Sequence, residues 1–256
     1  MTKISVATLN LRNRSDRWLE RRQLIVAELL ELQPDLVGLQ EIYMPIRQGY
    51  WLRNQLNARL SSKPPYRLLQ ARKRHPIKGY FEGIGILARL PVISCDIVSL
   101  GYEGRVALRA NIELPTGLGV DFVVTHLHHI AHDRQARLEQ VMTLTGWLNN
   151  RNAAPYQIVV GDFNELPDGP AIQQMKVSYQ SAYELARGRE PLATYPTGLV
   201  DEDWAGCLDY IFLSSAIDGA RRATLFCTRH ASSDDTLFPS DHVGVLAEID
   251  IGPDLP

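Results

Sequence analysis

Two strand–helix–strand patterns constrain the fold of this chain more than any other sequence feature. The first joins apolar strands at 4–9 and 36–40 through a helix whose apolar residues recur with the 3.6-residue period. Ser15 is placed to cap this helix at its amino end, and Pro34 ends it. The same pattern occurs again within 120–160. Because a crossover helix joins strands that run in the same direction, the sequence predicts two parallel pairs of strands.

The second unit consists of strands at 120–125 and 157–160 around an amphipathic helix at 133–148. The other predicted strands are joined by connections too short for a crossover helix, which implies antiparallel pairing. They lie at 83–88, 93–100, 106–114, 210–213, 223–227 and 243–249. We therefore predict one α/β domain over residues 1–256, a four-layer sandwich in which two mixed β-sheets pack face to face with helices outside.

Composition excludes several classes of protein. Apolar residues make up 45% of the chain and charged residues 22%, which rules out a disordered or fibrous protein. No apolar run approaches the ~18 residues of a membrane span, and the amino terminus does not resemble a signal peptide. The three cysteines, Cys95, Cys207 and Cys227, are odd in number and far apart, which excludes a disulfide framework and a cysteine zinc site. We expect a cytoplasmic monomer without a membrane span.

Polar side chains stand at the ends of the predicted crossover strands and at the beginnings of two later strands. In isolation, each would be interpreted as a turn or cap residue. Carboxyl ends of parallel strands meet at one edge of a sheet, and an antiparallel neighbour begins at that same edge. We therefore expect these side chains to converge on one rim. They are Asn10, Glu41, His126, Asp162, Asn164, Asp209, Asp241 and His242.

The chemistry of this set indicates metal-assisted hydrolysis of a phosphate ester. Carboxylate and amide oxygens are hard ligands, which suit Mg²⁺ or Mn²⁺ better than zinc. His242, with Asp209 available to orient it, supplies a general base for water. A rival zinc site would use the crowded histidines of the loop after the third crossover strand, but only Asp133 is nearby to complete it. Those histidines are His126, His128, His129 and His132.

Eight short motifs, in order along nearly the whole chain, resemble the endonuclease/exonuclease/phosphatase superfamily. That group includes DNase I, AP endonucleases of the exonuclease III type, neutral sphingomyelinases and inositol polyphosphate 5-phosphatases. The motifs are TLN (8–10), LQE (39–41), GIGILARLP (83–91), EGRVAL (103–108), THL (125–127), GDFN (161–164), LDYIFLS (208–214) and SDHVG (240–244). The resemblance implies a DNase I-like fold and a hydrolase that acts on phosphate esters.

The resemblance also implies which residues hold the metal and position the reacting groups. Glu41 would be the principal metal ligand, helped by Asn10 and Asp241. Asp162 and Asn164 would position the attacking water and the scissile phosphate, and Asp162 is also a candidate second metal ligand. The expected cofactor is accordingly Mg²⁺ or Mn²⁺.

The remaining implied roles concern proton transfer and substrate contact. His242 would pair with Asp209, and Arg105 of the EGR motif is a candidate phosphate contact. His126 matches a second histidine that the DNase I, sphingomyelinase and phosphatase branches use, with Glu82 as its carboxylate partner. The AP-endonuclease branch has no histidine there, and it carries an acid where this chain has Arg12. Both departures weigh against a dedicated AP endonuclease.

The sequence leaves the substrate open among three alternatives. We favour a phosphodiester, either nucleic acid or a small or lipid diester. The basic run Arg72-Lys73-Arg74 is the one feature that favours nucleic acid, although a solvated turn explains such a run equally well. The second alternative is a phosphomonoesterase acting on an inositol-phosphate-like or nucleotide substrate. The third is a non-catalytic binding module, which would have no reason to keep the whole set of polar residues.

Overall fold

The chain forms two six-stranded sheets. The computed structural model describes residues 1–60, 64–77, 80–149 and 154–252. The strands of the first sheet are β1 (Thr2–Asn10), β2 (Leu36–Tyr43), β3 (Arg67–Arg72), β4 (Glu82–Ala88), β11 (Ala220–Phe226) and β12 (Gly244–Ile251). Those of the second are β5 (Val92–Ser99), β6 (Val106–Glu113), β7 (Gly119–His126), β8 (Tyr156–Asp162), β9 (Tyr179–Ser181) and β10 (Asp209–Ser214).

The strand order confirms the predicted pairing and reveals a topological repeat. The first sheet runs β11-β12-β1-β2-β4-β3 and the second β5-β6-β7-β8-β10-β9. The pairs β1–β2 and β7–β8 are parallel, and the other neighbours are antiparallel. Each sheet therefore has one parallel pair at its centre with an antiparallel strand on either side. In the sequence, this symmetry is visible as the strand–helix–strand pattern that occurs twice.

The helices in the described residues are α1 (Trp18–Leu32), α2 (Gln48–Arg59), α3 (Arg134–Asn149), α4 (Pro170–Lys176) and α5 (Ala182–Arg187). Four of these five cover the outer faces of the sheets, α1 and α2 on the first sheet and α3 and α4 on the second, whereas α5 contacts strands of both sheets. Alternate residues of one strand face different layers: Val6 packs between the sheets, whereas Ala7 packs in the cluster with Ile25 of α1. On the other side, Val159 of β8 packs in the cluster with Leu144 of α3. The central strands β1, β2, β7 and β8 are buried on both faces, which explains their almost continuous apolar sequences. The four-layer sandwich is confirmed.

Two details differ from the sequence prediction. Ser15 does not cap α1, because the helix begins at Trp18 after Arg17 in a left-handed conformation, and the Ser15 hydroxyl donates to Asn13 Oδ1 instead. Several short or weakly periodic elements were not predicted, namely α2, α4, α5, β3 and β9. α2, for example, buries only Leu52 and Leu56 among its large apolar residues, too few for a clear period.

Within the described ranges, no helix has both the length and the apolar character needed to cross a membrane.

Candidate active site

The structure brings the predicted site residues together at one edge of the two sheets. An open cleft of about 540 Å³ lies where β1, β2, β7 and β8 end and where β10 begins. Asn10 and Asp209 are buried beside it. The other eight predicted residues line it: Glu41, Glu82, Arg105, His126, Asp162, Asn164, Asp241 and His242. The predicted convergence on one rim is therefore observed.

Glu41 reaches the cleft because β2 contains a bulge. Leu39 pairs with Gly85 but Ile42 pairs with Gly83, so β2 has one more residue than β4 across this step, and Glu41 has a left-handed φ of 52°. The carboxylate accepts hydrogen bonds from Asn13 Nδ2 at 3.0 Å and Asn10 Nδ2 at 3.4 Å. Burial, followed by the charges of nearby carboxylates, raises the pKa of Glu41.

Asp162 lies at the centre of the site, at the end of β8. Its Oδ2 accepts a hydrogen bond from Asn10 Nδ2 at 3.0 Å, and its Oδ1 accepts one from the backbone N–H of Asn164 at 2.9 Å. Burial raises the pKa of Asp162 to about 7. The preceding Gly161 has φ 153°, and a Cβ there would overlap the carbonyl oxygen of Thr125. Glycine in the GDFN motif thus permits the close approach of β8 to β7.

His242 and Asp209 form a buried pair on the other side of Asp162. His242 Nδ1 lies 2.8 Å from Asp209 Oδ2, which leaves Nε2 facing Asp162 Oδ2 at 3.8 Å. Because a carboxylate accepts from Nδ1, the proton of the neutral ring is assigned to that nitrogen. Burial opposes a charge on the ring, but Asp209 and Asp162 outweigh it and raise the pKa of His242 to about 10. The ring of Tyr195 packs against His242 with centroids 4.8 Å apart.

Cationic groups surround Glu82 on the opposite wall of the cleft. Its Oε1 forms an ion pair with Lys73 Nζ and lies 3.6 Å from Arg105 Nη1. His126 Nδ1 is 3.7 Å from the same oxygen, and its Nε2 is 3.5 Å from Asp162 Oδ2. Burial, followed by the charge of Arg105, lowers the pKa of His126 well below its usual value. The expected neighbourhood of His126 and Glu82 is present, at a distance longer than a hydrogen bond.

The cleft residues that sequence reasoning missed as site residues include Arg12, Asn13 and Lys73. Arg12 Nη1 lies 2.9 Å from Asp241 Oδ2. Lys73 is the middle residue of the basic run and is buried, while its neighbours Arg72 and Arg74 are exposed. Three consecutive basic residues do not show in the sequence which of them is buried, because the alternation of side chains along an extended segment decides which one faces inward.

The four crowded histidines do not gather at one point. His126 and His129 line the cleft, whereas His128 Nε2 faces Asp133 Oδ2 at 3.3 Å. Among the described residues, the group of potential ligand atoms lying within 4.8 Å of one another is Asp162, Asp209 and His242. The Nδ1 of His242 is already hydrogen-bonded to Asp209.

The two sheets and the cleft at their strand ends define a protein of the DNase I-like class. The chain belongs to the Endonuclease/Exonuclease/phosphatase family, whose model matches residues 7–242. Members of this family are hydrolases that act on phosphate esters.

Known relatives support the same assignment. The chain is 25% identical to Nocturnin from Xenopus laevis over 260 residues, which cover 93% of this chain and 66% of that protein. An endonuclease/exonuclease/phosphatase from Bacteroides vulgatus superposes with a TM-score of 0.80 at 20% identity, covering 98% and 100% of the two chains. The human Nocturnin catalytic domain with bound sulfate superposes with a TM-score of 0.77 at 22% identity, covering 98% and 95%. At these identities the structures establish the common fold.

Proposed function

We propose that the protein is a divalent-metal-dependent phosphoesterase that cleaves a phosphodiester by attack of water. The observation that carries the proposal is the buried Asp209–His242 pair, which opens onto the same cleft as the carboxylates of Glu41 and Asp162. A base, an oxygen-rich cation site and a wall of buried cations are the parts that hydrolysis of a phosphate ester requires.

The donor set fits Mg²⁺ or Mn²⁺. Glu41 and Asp162 present carboxylates to the cleft, and hard cations prefer oxygen ligands, whereas Asp241 is paired with Arg12. Asn10 accepts from the backbone N–H of Arg12 through Oδ1 and directs its nitrogen to Glu41 and Asp162. In this arrangement Asn10 orients the two carboxylates rather than offering an oxygen. When bound, the cation would polarise the phosphoryl oxygen and offset charge that develops on the leaving group.

His242 accepts the proton of the attacking water at Nε2. Asp209 holds the ring through Nδ1 and stabilises the imidazolium that results. A cation bound at Asp162 would share the charge of that carboxylate and lower the pKa of His242, which favours the neutral ring that a general base needs. Arg105 is buried with Nε and Nη1 not hydrogen-bonded within the described residues, so these donors can bind phosphate oxygens.

A phosphomonoester is the second candidate substrate. Glu103 and Glu202 also line the cleft, and their negative charges disfavour a long polyanion that would extend past them. A small phosphate monoester has no charged chain that would extend past these two side chains. The substrate test therefore has to include both ester classes.

A hydrolysis panel tests the proposal. It comprises bis-p-nitrophenyl phosphate, p-nitrophenyl phosphate, oligonucleotides, sphingomyelin and inositol phosphates, each with Mg²⁺, with Mn²⁺ and with EDTA. We expect activity on the diesters that EDTA abolishes and either metal restores, and that His242→Ala loses. His230→Ala, an exposed histidine outside the cleft, is the matched control. Activity that survives exhaustive chelation would refute the metal-dependent mechanism.

A further inference from the structure

The carboxylates of the cleft differ in whether a cation faces them. Asp241 forms an ion pair with Arg12, Asp209 with His242, and Glu82 with Lys73. Asp162 lies between two histidines and accepts hydrogen bonds from Asn10 and from a backbone N–H. Glu41 accepts hydrogen bonds from the neutral side-chain amides of Asn10 and Asn13, and it takes part in none of the ion pairs formed by the described residues.

Arg12 is held firmly in its position beside Asp241. Its backbone N–H donates to Asn10 Oδ1 at 2.9 Å, and its Nε donates to Asp16 Oδ2 at 2.8 Å. Its carbonyl accepts from Arg21 Nη2 at 2.9 Å, and its backbone is left-handed with φ 55°. Backbone and side chain are thus both anchored, so the guanidinium is part of the built site rather than a mobile surface group.

We infer that Arg12 is a built-in counter-ion that limits this centre to a single divalent cation, held at Glu41. The inference rests on the proposed function, since it concerns how many cations that site takes. The guanidinium of Arg12 is in direct contact with Asp241 Oδ2. Because Asp241 is only 1% exposed, no water-filled space separates the two charges. A second divalent cation at Asp241 would have to displace Arg12 and would be repelled by it at short range.

Metal-binding stoichiometry tests this inference without any substrate. Apo protein prepared with a chelator is titrated with Mn²⁺, and bound metal is counted by calorimetry and by the loss of the free Mn²⁺ resonance signal. We expect one Mn²⁺ for the wild type and two for Arg12→Gln, because the glutamine removes the charge and frees Asp241. Arg12→Lys keeps the charge and should bind one.

Arg14→Gln is the matched control, because Arg14 lies in the same loop with its guanidinium over the ring of Tyr43. It should bind one Mn²⁺. Two Mn²⁺ in the wild type, or one in Arg12→Gln, would overturn the assignment to Arg12 while leaving the proposed function intact. No Mn²⁺ in the wild type would instead refute the metal-dependent part of the proposed function.

Discussion

Glu41 combines two unfavourable local features at one residue. Its backbone is left-handed, which is uncommon for a residue with a side chain, and its carboxylate is raised in pKa by burial and by neighbouring carboxylates. Neither feature improves the packing of the sheet. Both are expected where a side chain is placed to bind a cation rather than to stabilise the apo protein.

The first prediction follows from that placement. Glu41→Gln removes a buried negative charge while keeping the shape of the side chain, so the variant should be more stable than the wild type in EDTA. We expect Tm to rise by about 2–4 °C, the shift that 1 kcal/mol produces in a chain of this size. Added Mn²⁺ should raise Tm of the wild type but not of the variant. Glu113→Gln, on the exposed end of β6, is the control, and a lower Tm for Glu41→Gln would contradict the prediction.

The second prediction concerns the buried histidine pair. His242→Ala should lower kcat by at least ~10², the scale for loss of a positioned acid–base group. Asp209→Asn should act through the same ring, because it removes the negative charge that stabilises the imidazolium. The double variant should therefore be scarcely worse than His242→Ala alone, as for groups that act as a unit. If the two losses multiplied instead, Asp209 would be serving some purpose other than orienting His242.

At the scale of elements, each crossover unit anchors its cleft-lining loop with a buried arginine. Arg21 is the fourth residue of α1 and Arg137 the fourth residue of α3. The guanidinium of Arg21 donates to six backbone carbonyls, those of Leu11, Arg12, Asn13, Ser15, Asp16 and Pro239. Arg137 donates to the carbonyls of His128, Ile130 and Ala131 and to Glu165. These loops therefore have fixed shapes although they lack regular structure.

The third prediction tests Arg21 as a positioning residue. Arg21→Lys keeps the charge but has fewer donors, so carbonyls of the 11–16 loop lose their partners. Unfolding free energy should fall by about 2–4 kcal/mol, the range for breaking a buried charged network. Because this loop carries Asn13 and Arg12, Mn²⁺ affinity measured well below Tm should fall as well. Arg22→Lys is the control from the next position of the helix, and an unchanged Mn²⁺ affinity in Arg21→Lys would limit Arg21 to a structural role.

At the scale of the whole molecule, the basic run divides between two surfaces. Lys73 faces the active-site cleft, whereas Arg72 and Arg74 are exposed and border a neighbouring groove together with Tyr80. The groove adjoins the cleft through Lys73, which lines both. A polymeric substrate could follow this path, while a small ester would not reach it.

The fourth prediction separates these substrates. Reversal of Arg72 and Arg74 to glutamate should raise KM for DNA or RNA and flatten its dependence on salt, since fewer phosphate contacts are made. Hydrolysis of bis-p-nitrophenyl phosphate should be unchanged. Reversal of Lys3 and Arg222, exposed residues elsewhere on the first sheet, is the control. Equal effects on the polymer and the small diester would remove the reason for preferring nucleic acid.

Much of the fold and the polar set of the site could be predicted from the sequence. Both crossover units, the antiparallel strands and the convergence of Asp162, Asp209 and His242 follow from local apolar periods and from what stands at the ends of strands. These patterns are local, because each spans only a few neighbouring residues. Parallel strands end at the same edge of a sheet, so the polar residues at their ends lie close together.

Only the tertiary structure decided which partners these residues meet. Glu41 reaches the cleft through a bulge of β2 against β4. Lys73, just after β3, is buried in an ion pair with Glu82, while its neighbours Arg72 and Arg74 are exposed. Arg12 forms an ion pair with Asp241, and Arg21 donates a hydrogen bond to the carbonyl of Pro239. Each of these partners is more than 200 residues away in the sequence. The amino-acid sequence specifies the charge of each residue, whereas the energy of a buried charge depends on the groups that folding places around it.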